Sequence, residues 1–392
     1  MRKIGVVSVS RSDYGIYFPI LKAILQEPDL ELCLIVTGSH LVSRFGNTIA
    51  AIEADGFSIA ERVEILMASD SPEGIAKSMG LGIIGLADAY SRQNPDIILV
   101  LGDRFEMHSA ALAALPFKIP VAHIHGGEET LGAFDNSLRH SITKLSHIHF
   151  ASTQEYAKRL IQLGEEPWRV IVSGAPGLDN LRMISLLSAS ELKGKYQVNP
   201  ALFPPLLVTF HPTTLEYEHT EWQTKELMIA LSESGLPVIF TMPNADTNGS
   251  SIRNLIIEYV SKHTNSQSFD NLGTQAYLSL MALSRAVVGN SSSGIIEAAS
   301  LHVPVVNIGT RQQGRLHARN VVDTDYNHEA ILKAIDQVIS PKFHKSLQDL
   351  KNPYGDGHST ERIIEKLRSV AINDQLLFKP FFDVKFELEL RR

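Results

Sequence analysis

The sequence predicts an α/β protein built from two doubly wound parallel sheets, and three observations carry that prediction. Short apolar runs alternate with longer amphipathic stretches from the first residue onward, the pattern of right-handed βαβ units. The alternation pauses near Gly174-Ala175-Pro176-Gly177 and then begins again. In both halves the unusual polar residues follow directly after the apolar runs. Open parallel sheets bind their ligands at such strand ends.

In the first half, Ile4–Ser10 reads as a buried strand and Tyr17–Gln26 as a helix. Glu31–Thr37 is the next strand and Val42–Asp55 the next helix, followed by a long helix over Ile75–Gln93. Strand Ile97–Gly102, helix Met107–Leu115, strand Pro120–His125 and helix Ser137–Leu145 come next. Strand His149–Ala151, helix Gln154–Leu163 and strand Val170–Ser173 close the series. After a helical and then turn-rich stretch over Leu186–Pro205, the second half starts at strand Leu206–Phe210. It continues with helix Glu221–Ser234, strand Pro237–Thr241, and helices Ser250–Ser261 and Ala276–Ser284. Strand Ala286–Gly289, the helix after Ser293, strand Val305–Ile308 and helix Glu329–Ile339 complete it. Residues 1–178 are therefore expected to form one domain and 179–356 a second. Residues 357–392 supply a helix, Ser359–Val370, and a tail that pack back on the body; Phe378, Phe381, Phe382 and Phe386 make that tail too apolar for free disorder.

Composition narrows the class. With 392 residues, 44% of them hydrophobic and 20% charged, the chain can bury large cores. A formal net charge of -7 and the absence of Lys/Arg runs exclude a nucleic-acid surface. The single cysteine, Cys33, sits in an apolar strand, which leaves no disulfide framework or Cys-based zinc site and fits a reducing compartment. No apolar run reaches the roughly 20 residues that span a bilayer, so a cytoplasmic protein is expected.

The stretch Gly289-Asn290-Ser291-Ser292-Ser293-Gly294, with Glu297 one turn later, lies where a strand becomes a helix. Free backbone N–H groups, the positive end of the helix dipole and three hydroxyls there suit a diphosphate, and Glu297 suits a ribose hydroxyl pair. An ordinary serine N-cap before a core helix is the competing reading. After the first strand, Arg11 is a candidate phosphate clamp or half of a surface pair with Asp13. Asp103 and Arg104 follow the strand at 97–102; Asp103 either caps the next helix or serves as a base, and Arg104 can meet a phosphate.

In His123-Ile124-His125-Gly126-Gly127-Glu128, with Asp135 further on, the two histidines alternate on a strand and so are expected to face the same side, and a Gly-Gly turn presents a carboxylate. Metal binding lacks a third ligand at zinc-type spacing. Acid/base chemistry fits better, because a cleft carboxylate beside imidazoles can have its pKa moved toward neutrality. In the second half His211, held extended by Pro212, Asn244, and Arg311 in a basic turn occupy the corresponding positions.

Taken together, SRSDYG (10–15), GNTI (46–49), GDRFE (102–106), HIHGGE (123–128), RHSITKLSHIHF (139–150), HPTT (211–214), PNAD (243–246), GNSSSGIIE (289–297) and NIGTRQQGR (307–315) resemble the hydrolysing UDP-N-acetylglucosamine 2-epimerases. The likeness is greatest to the NeuC-type enzymes of bacterial sialic-acid pathways and runs from Ile4 to about Leu367. The resemblance implies a GT-B-like pair of Rossmann-like domains around a UDP-sugar. Positions matching Arg11, Arg104, His211, Asn244, Ser291, Ser292, Glu297 and Arg311 then hold the nucleotide, with Ser293 and Gly294 in the same turn. Asp103 and Asp135 match the catalytic carboxylates, and Glu128 belongs to the same motif. Some members carry His-Ile-Glu-Gly-Gly-Glu where this chain has His125 in the third place, so either Glu128 or His125 takes over that proton.

The implied reaction converts UDP-N-acetylglucosamine and water to N-acetylmannosamine and UDP without cofactor or metal. A GDP-linked diacetamido sugar and a GT-B glycosyltransferase activity are the alternatives, with base choice resting on the backbone around Phe269–Tyr277. The aromatic tail points to a homodimer or homotetramer.

Overall fold

The computed structural model describes residues 1–43, 46, 48–69, 71–130, 135–200, 203–243 and 249–385. The chain opens with β1 (Arg2–Ser8), α1 (Arg11–Gln26), β2 (Leu30–Thr37), α2 (Ile49–Ala54), β3 (Ile59–Val63) and α3 (Pro72–Gln93). It proceeds through β4 (Ile97–Leu101), α4 (Phe105–Ala114), β5 (Val121–Ile124), α5 (Asp135–Leu145), β6 (Ile148–Ala151), α6 (Gln154–Gln162) and β7 (Val170–Val172). Two helices, α7 (Asp179–Met183) and α8 (Ala189–Tyr196), lead to the second series. That series runs β8 (Leu206–Thr209), α9 (Thr220–Ser234), β9 (Val238–Thr241), α10 (Gly249–Lys262), β10 (Ser266–Phe269) and α11 (Gly273–Leu283). It ends with β11 (Ala286–Gly289), α12 (Ser292–Ser300), β12 (Val305–Ile308), β13 (Val321–Thr324) and α13 (His328–Val338). Helices α14 (Pro341–Ser346), α15 (Ser359–Ser369) and α16 (Asp374–Leu377) follow.

The strands form two sheets, a seven-stranded one ordered β3-β2-β1-β4-β5-β6-β7 and a six-stranded one ordered β10-β9-β8-β11-β12-β13. Every pairing is parallel. The strand order reverses between β1 and β4 in the first sheet and between β8 and β11 in the second. Chain leaving two such neighbouring strands diverges to opposite sides and opens a crevice beyond their carboxyl ends. The motifs that follow β1, β4, β8 and β11 are SRSD, GDRFE, HPTT and GNSSS, so both crevices carry the polar residues singled out above.

Three strands differ from the sequence-based expectation, because β3, β10 and β13 were not anticipated. All three are sheet edges. An edge strand is paired on one side and partly wetted, so Ile59-Ala60-Glu61-Arg62-Val63 or Ser266-Gln267-Ser268-Phe269 needs no continuous apolar run. The helix expected over 42–55 is shorter, starting at Ile49 behind a 3-10 turn over Gly38–Leu41.

One core lies around the first sheet and takes in Ile363, Ile364, Leu367, Val370 and Leu376. Helices α15 and α16 thus return across the molecule to the first sheet, and each large apolar side chain buried there contributes about 2 kcal/mol. At the turn out of β11, Gly289 has φ +134 and its position would put a methyl group 2.0 Å from the carbonyl oxygen of Thr209. Only glycine fits where β11 and β8 deliver their loops to the same crevice.

Candidate active site

A cleft of about 550 Å³ lies between the two halves and is lined from both. The second-half wall is built on the start of α12. Ser291 is its N-cap, with φ -79 and ψ 142, and its hydroxyl accepts from the Ser293 N–H at 3.4 Å. Ser291, Ser292 and Ser293 all line the cleft, and the Tyr277 hydroxyl bonds to Ser293. Behind them Asn290, fully buried, ties three loops together. Its Oδ1 accepts from the His211 N–H at 2.7 Å, and its Nδ2 donates to the His211 carbonyl at 2.8 Å. Its own carbonyl accepts from Arg311 Nη1 at 3.1 Å and from Gln312 Nε2 at 2.8 Å. Asn290 and Gln312 were missed as candidates; their adjacency to Ser291 and Arg311 in the motifs was the available signal.

Glu297 projects into the same space. Its Oε2 is buried without a hydrogen-bond partner, and a methyl group added at Gly177 would come within 2.7 Å of its Oε1. Burial raises its carboxyl to about 7, with its own backbone N–H, His125 and Arg315 acting in the opposite direction. Oε2 is thus left facing the cleft side of the α12 start with no hydrogen bond from the protein. Gly294, expected in this set, does not line the cleft. It packs α12 against the sheet, where an added methyl would meet Val305 at 3.1 Å and Val287 at 3.5 Å. Asn244 lies outside the described residues.

Arg11 reaches from the start of α1 across the cleft and donates from Nη1 to the Asp270 carbonyl at 2.5 Å. Its partner loop, Phe269–Gly273, belongs to the stretch expected around the base, and its residues line the cleft. The Arg11–Asp13 pair does not form. Asp13 is buried and accepts instead from Ser8 Oγ at 2.9 Å and the Val9 N–H at 2.8 Å. Arg104 is half-buried and faces Glu106, at 3.2 Å and 3.3 Å.

The first-half wall carries Asp103, His125, Glu128 and Asp135. Asp103 does not cap α4, whose N-cap is Arg104 without a side-chain bond. It pairs with Arg139 of α5, a fully buried guanidinium that also donates to Thr130 Oγ1 at 3.0 Å. The two histidines of the motif do not face the same way. Strand β5 ends at Ile124, and His125 adopts φ +64, in the left-handed region that histidine tolerates better than most side chains. His123 stays buried, bonding the Gly102 carbonyl at 2.7 Å, and burial lowers it to about 3. His125 instead turns Nδ1 onto Glu128 Oε1 at 2.5 Å.

Glu128 is fully engaged. Oε1 also accepts from Ser152 Oγ at 2.6 Å, and Oε2 pairs with Arg315 Nη2 at 3.2 Å. Burial pushes this carboxyl up, but His125, Arg315 and Ser152 outweigh it and hold it at about 2. Arg315 was missed as a candidate, although it closes the NIGTRQQGR motif. It joins the two halves, since it also donates to the Glu129 carbonyl at 3.3 Å. Among the described residues no group of three or more His, Cys, Asp or Glu side chains could hold a metal ion, and no helix is long and apolar enough to cross a membrane.

A model of the UDP-N-acetylglucosamine 2-epimerase family matches residues 22–368. The chain is 37% identical over 380 residues to UDP-N,N'-diacetylbacillosamine 2-epimerase (hydrolyzing) of Legionella pneumophila, covering 97% of this chain and 99% of that one. It is 38% identical to the GDP/UDP-N,N'-diacetylbacillosamine 2-epimerase (hydrolyzing) of Campylobacter jejuni, over 98% of this chain and 99% of that one. It is 37% identical to polysialic acid biosynthesis protein P7 of Escherichia coli, over 98% of each. Among solved structures, UDP-GlcNAc 2-epimerase from Neisseria meningitidis bound to UDP-GlcNAc superposes with a TM-score of 0.80 at 19% identity, covering 94% of this chain and 99% of that one. That likeness establishes the GT-B-like fold of paired Rossmann-like sheets. With a family match over most of its length and full-length relatives named as hydrolysing enzymes, the chain belongs to the UDP-N-acetylglucosamine 2-epimerase family and is a hydrolysing nucleotide-sugar 2-epimerase.

Proposed function

We propose that the enzyme takes UDP-N-acetylglucosamine and water to N-acetylmannosamine and UDP. The observation that carries the reading is that one cleft brings the α12 start, Arg311 and His211 of the second half together with Arg11, Arg104 and the carboxylates and imidazole of the first. The start of α12, Arg11, Arg104, Arg311 and His211 would bind the diphosphate, and Glu297 the ribose hydroxyls. Facing the α12 start, Asp103, His125 and Asp135 would surround C1 and C2 of the sugar.

The C2–H bond is weakly acidic, so loss of UDP must lead. The C1–O bond breaks with its electron pair going to the diphosphate while a base takes the C2 proton, leaving a C1–C2 double bond in 2-acetamidoglucal. Water then adds its oxygen at C1, and a proton reaches C2 from the opposite face. Two groups are therefore needed, one on each side of the ring. Asp103 is assigned to the first. For the second, Glu128 supports a role for His125: with Nδ1 held by an ionised carboxylate, Nε2 is the nitrogen left to exchange a proton. Glu128 itself, with both oxygens engaged, orients the ring. Asp135, at the start of α5, would add a second carboxylate beside the sugar.

Incubation with UDP-N-acetylglucosamine alone in deuterated water is expected to give UDP and N-acetylmannosamine labelled at C2. An intact donor would reject this substrate and favour the second reading. A second reading is a UDP- or GDP-linked N,N'-diacetylbacillosamine, which the relatives' names support. It is favoured by the apolar side chains Leu66, Met67, Ile75 and Phe105 in the first-half lining, which suit a methyl and an acetamido group where glucosamine has hydroxyls. Comparing kcat/KM for the three donors decides between them.

Glu297 gives a pH test. A ribose diol donates to the carboxylate, so UDP binds the ionised form. From about 7 in the free enzyme, the carboxyl protonates as pH falls, and UDP affinity measured by calorimetry should drop about tenfold between pH 8 and pH 6. Glu297→Gln should lose that extra dependence and keep only the one inherent in the phosphate. Parallel profiles for the two proteins would remove Glu297 from the ribose site. An assembly of two or four copies is also proposed, with light scattering as its test.

A further inference from the structure

We propose that residues 374–382 act as a strap on the proton-transfer wall, and that Lys379 within them is a positioning residue fixing α5 and, through it, Asp135 and Arg139. The inference rests on the epimerase reading for its functional meaning. It starts from an arrangement far from the cleft lining, at the opposite end of α5.

The Lys379 ammonium donates to the carbonyls of Thr143 at 3.0 Å, Lys144 at 3.0 Å and Ser146 at 2.6 Å. Thr143 and Lys144 stand in the last turn of α5 and Ser146 directly follows it, where carbonyls lack the regular i+4 partner inside the helix. The Thr143 carbonyl also accepts a turn bond from the Ser146 N–H at 3.1 Å. A cation there also meets the negative end of the helix dipole. Its fourth contact is Glu165 Oε2 at 2.8 Å. Glu165 is fully buried and also holds His149 of β6 at 2.8 Å and Lys144 at 2.7 Å, so one carboxylate joins sheet, helix and tail. Burial lowers the Lys379 ammonium to about 8 while Glu165 works against it, which leaves it charged at neutral pH.

The tail is held independently of Lys379. Arg169, fully buried, donates to the carbonyls of Gln375, Leu376 and Phe378, each at 2.8 Å. The Phe382 N–H donates to the Gly164 carbonyl at 2.8 Å, and the Phe381 ring covers Gly164 where no larger residue fits. Of α5 only Arg139, Ile142 and Thr143 are fully buried, with Leu145 packed at the edge of the first core, so the tail adds an anchor to a narrow apolar stripe. The helix delivers Asp135 to the cleft and pairs Arg139 with Asp103. A shift of α5 along its axis therefore displaces two groups at the reacting carbons while leaving the α12 anion site where it is.

The test compares full-length wild type with Lys379→Met, Lys379→Arg and Phe381→Ala. Lys379→Met is expected to lower kcat about tenfold, because misplacing reacting groups by a fraction of an ångström to an ångström costs up to about a hundredfold, with KM and UDP affinity within twofold. Lys379→Arg, which can still cap the carbonyls, should recover most of the loss. Phe381→Ala loosens the tail without touching those carbonyls and should retain kcat. Amide hydrogen exchange should show lost protection in the last turn of α5 for Lys379→Met alone. Unchanged kcat, a loss matched by KM or UDP affinity, or an equal loss in Phe381→Ala would overturn the assignment. If the wild type makes no epimerised product, the epimerase reading fails, while hydrogen exchange still judges the Lys379 contact. Lys379→Gln substitutes for a Met variant that does not fold.

Discussion

Asp103→Asn should reduce kcat by about 10² to 10⁴, the usual cost of removing a positioned acid/base group, while UDP affinity stays within about twofold. Apart from the neighbouring Arg104, whose backbone the change leaves in place, the nucleotide groups stand on other elements, so most of the binding energy is not at stake. The same change removes the counter-charge of Arg139, which is fully buried with Nε and Nη1 lacking partners. Breaking a buried pair on one side costs about 3 kcal/mol, so the variant should also melt earlier, and kinetics belong well below its transition. Near-normal turnover in a folded Asp103→Asn enzyme would exclude this carboxylate as the base.

His125→Asn is the second variant with a large expected effect, a loss of about 10² to 10³ in kcat. Asparagine is the informative replacement because it tolerates the left-handed region that His125 occupies at φ +64. The imidazole is removed while the Gly126-Gly127 turn keeps its path. Glu128 retains Ser152 and Arg315, so the interdomain pair survives. If His125 serves the second proton transfer, the variant should release 2-acetamidoglucal, visible by NMR. Turnover within threefold of wild type would transfer that role to another group.

The interior of both sheets was legible because a strand buried on both faces must be a continuous apolar run, as Ile97–Leu101 and Ala286–Gly289 are. The edges β3, β10 and β13 were not, since one-sided pairing lets Glu61, Gln267 and Asp323 stand in them. The site was legible at the level of segments: turns after β1, β4, β8 and β11 collect at two switch points, which places Arg11, Asp103, His211 and Ser291 in one cleft. The alternation of His123 and His125 misled, because period-two reasoning holds only while the strand continues, and β5 stops at Ile124.

By itself, then, the amino-acid order determined the βα alternation, the two-sheet class and the segments that line the cleft, because each follows from local patterns of apolar and turn-forming residues. Only the tertiary structure decided which partner each charged group takes. Glu128 meets Arg315 from the other half, Asp103 meets Arg139 on α5, and Lys379 meets the end of that helix from 233 to 236 residues away in sequence. Those pairings are set by how the sheets and the returning tail pack, and electrostatic partners so distant along the chain leave no periodic trace in it.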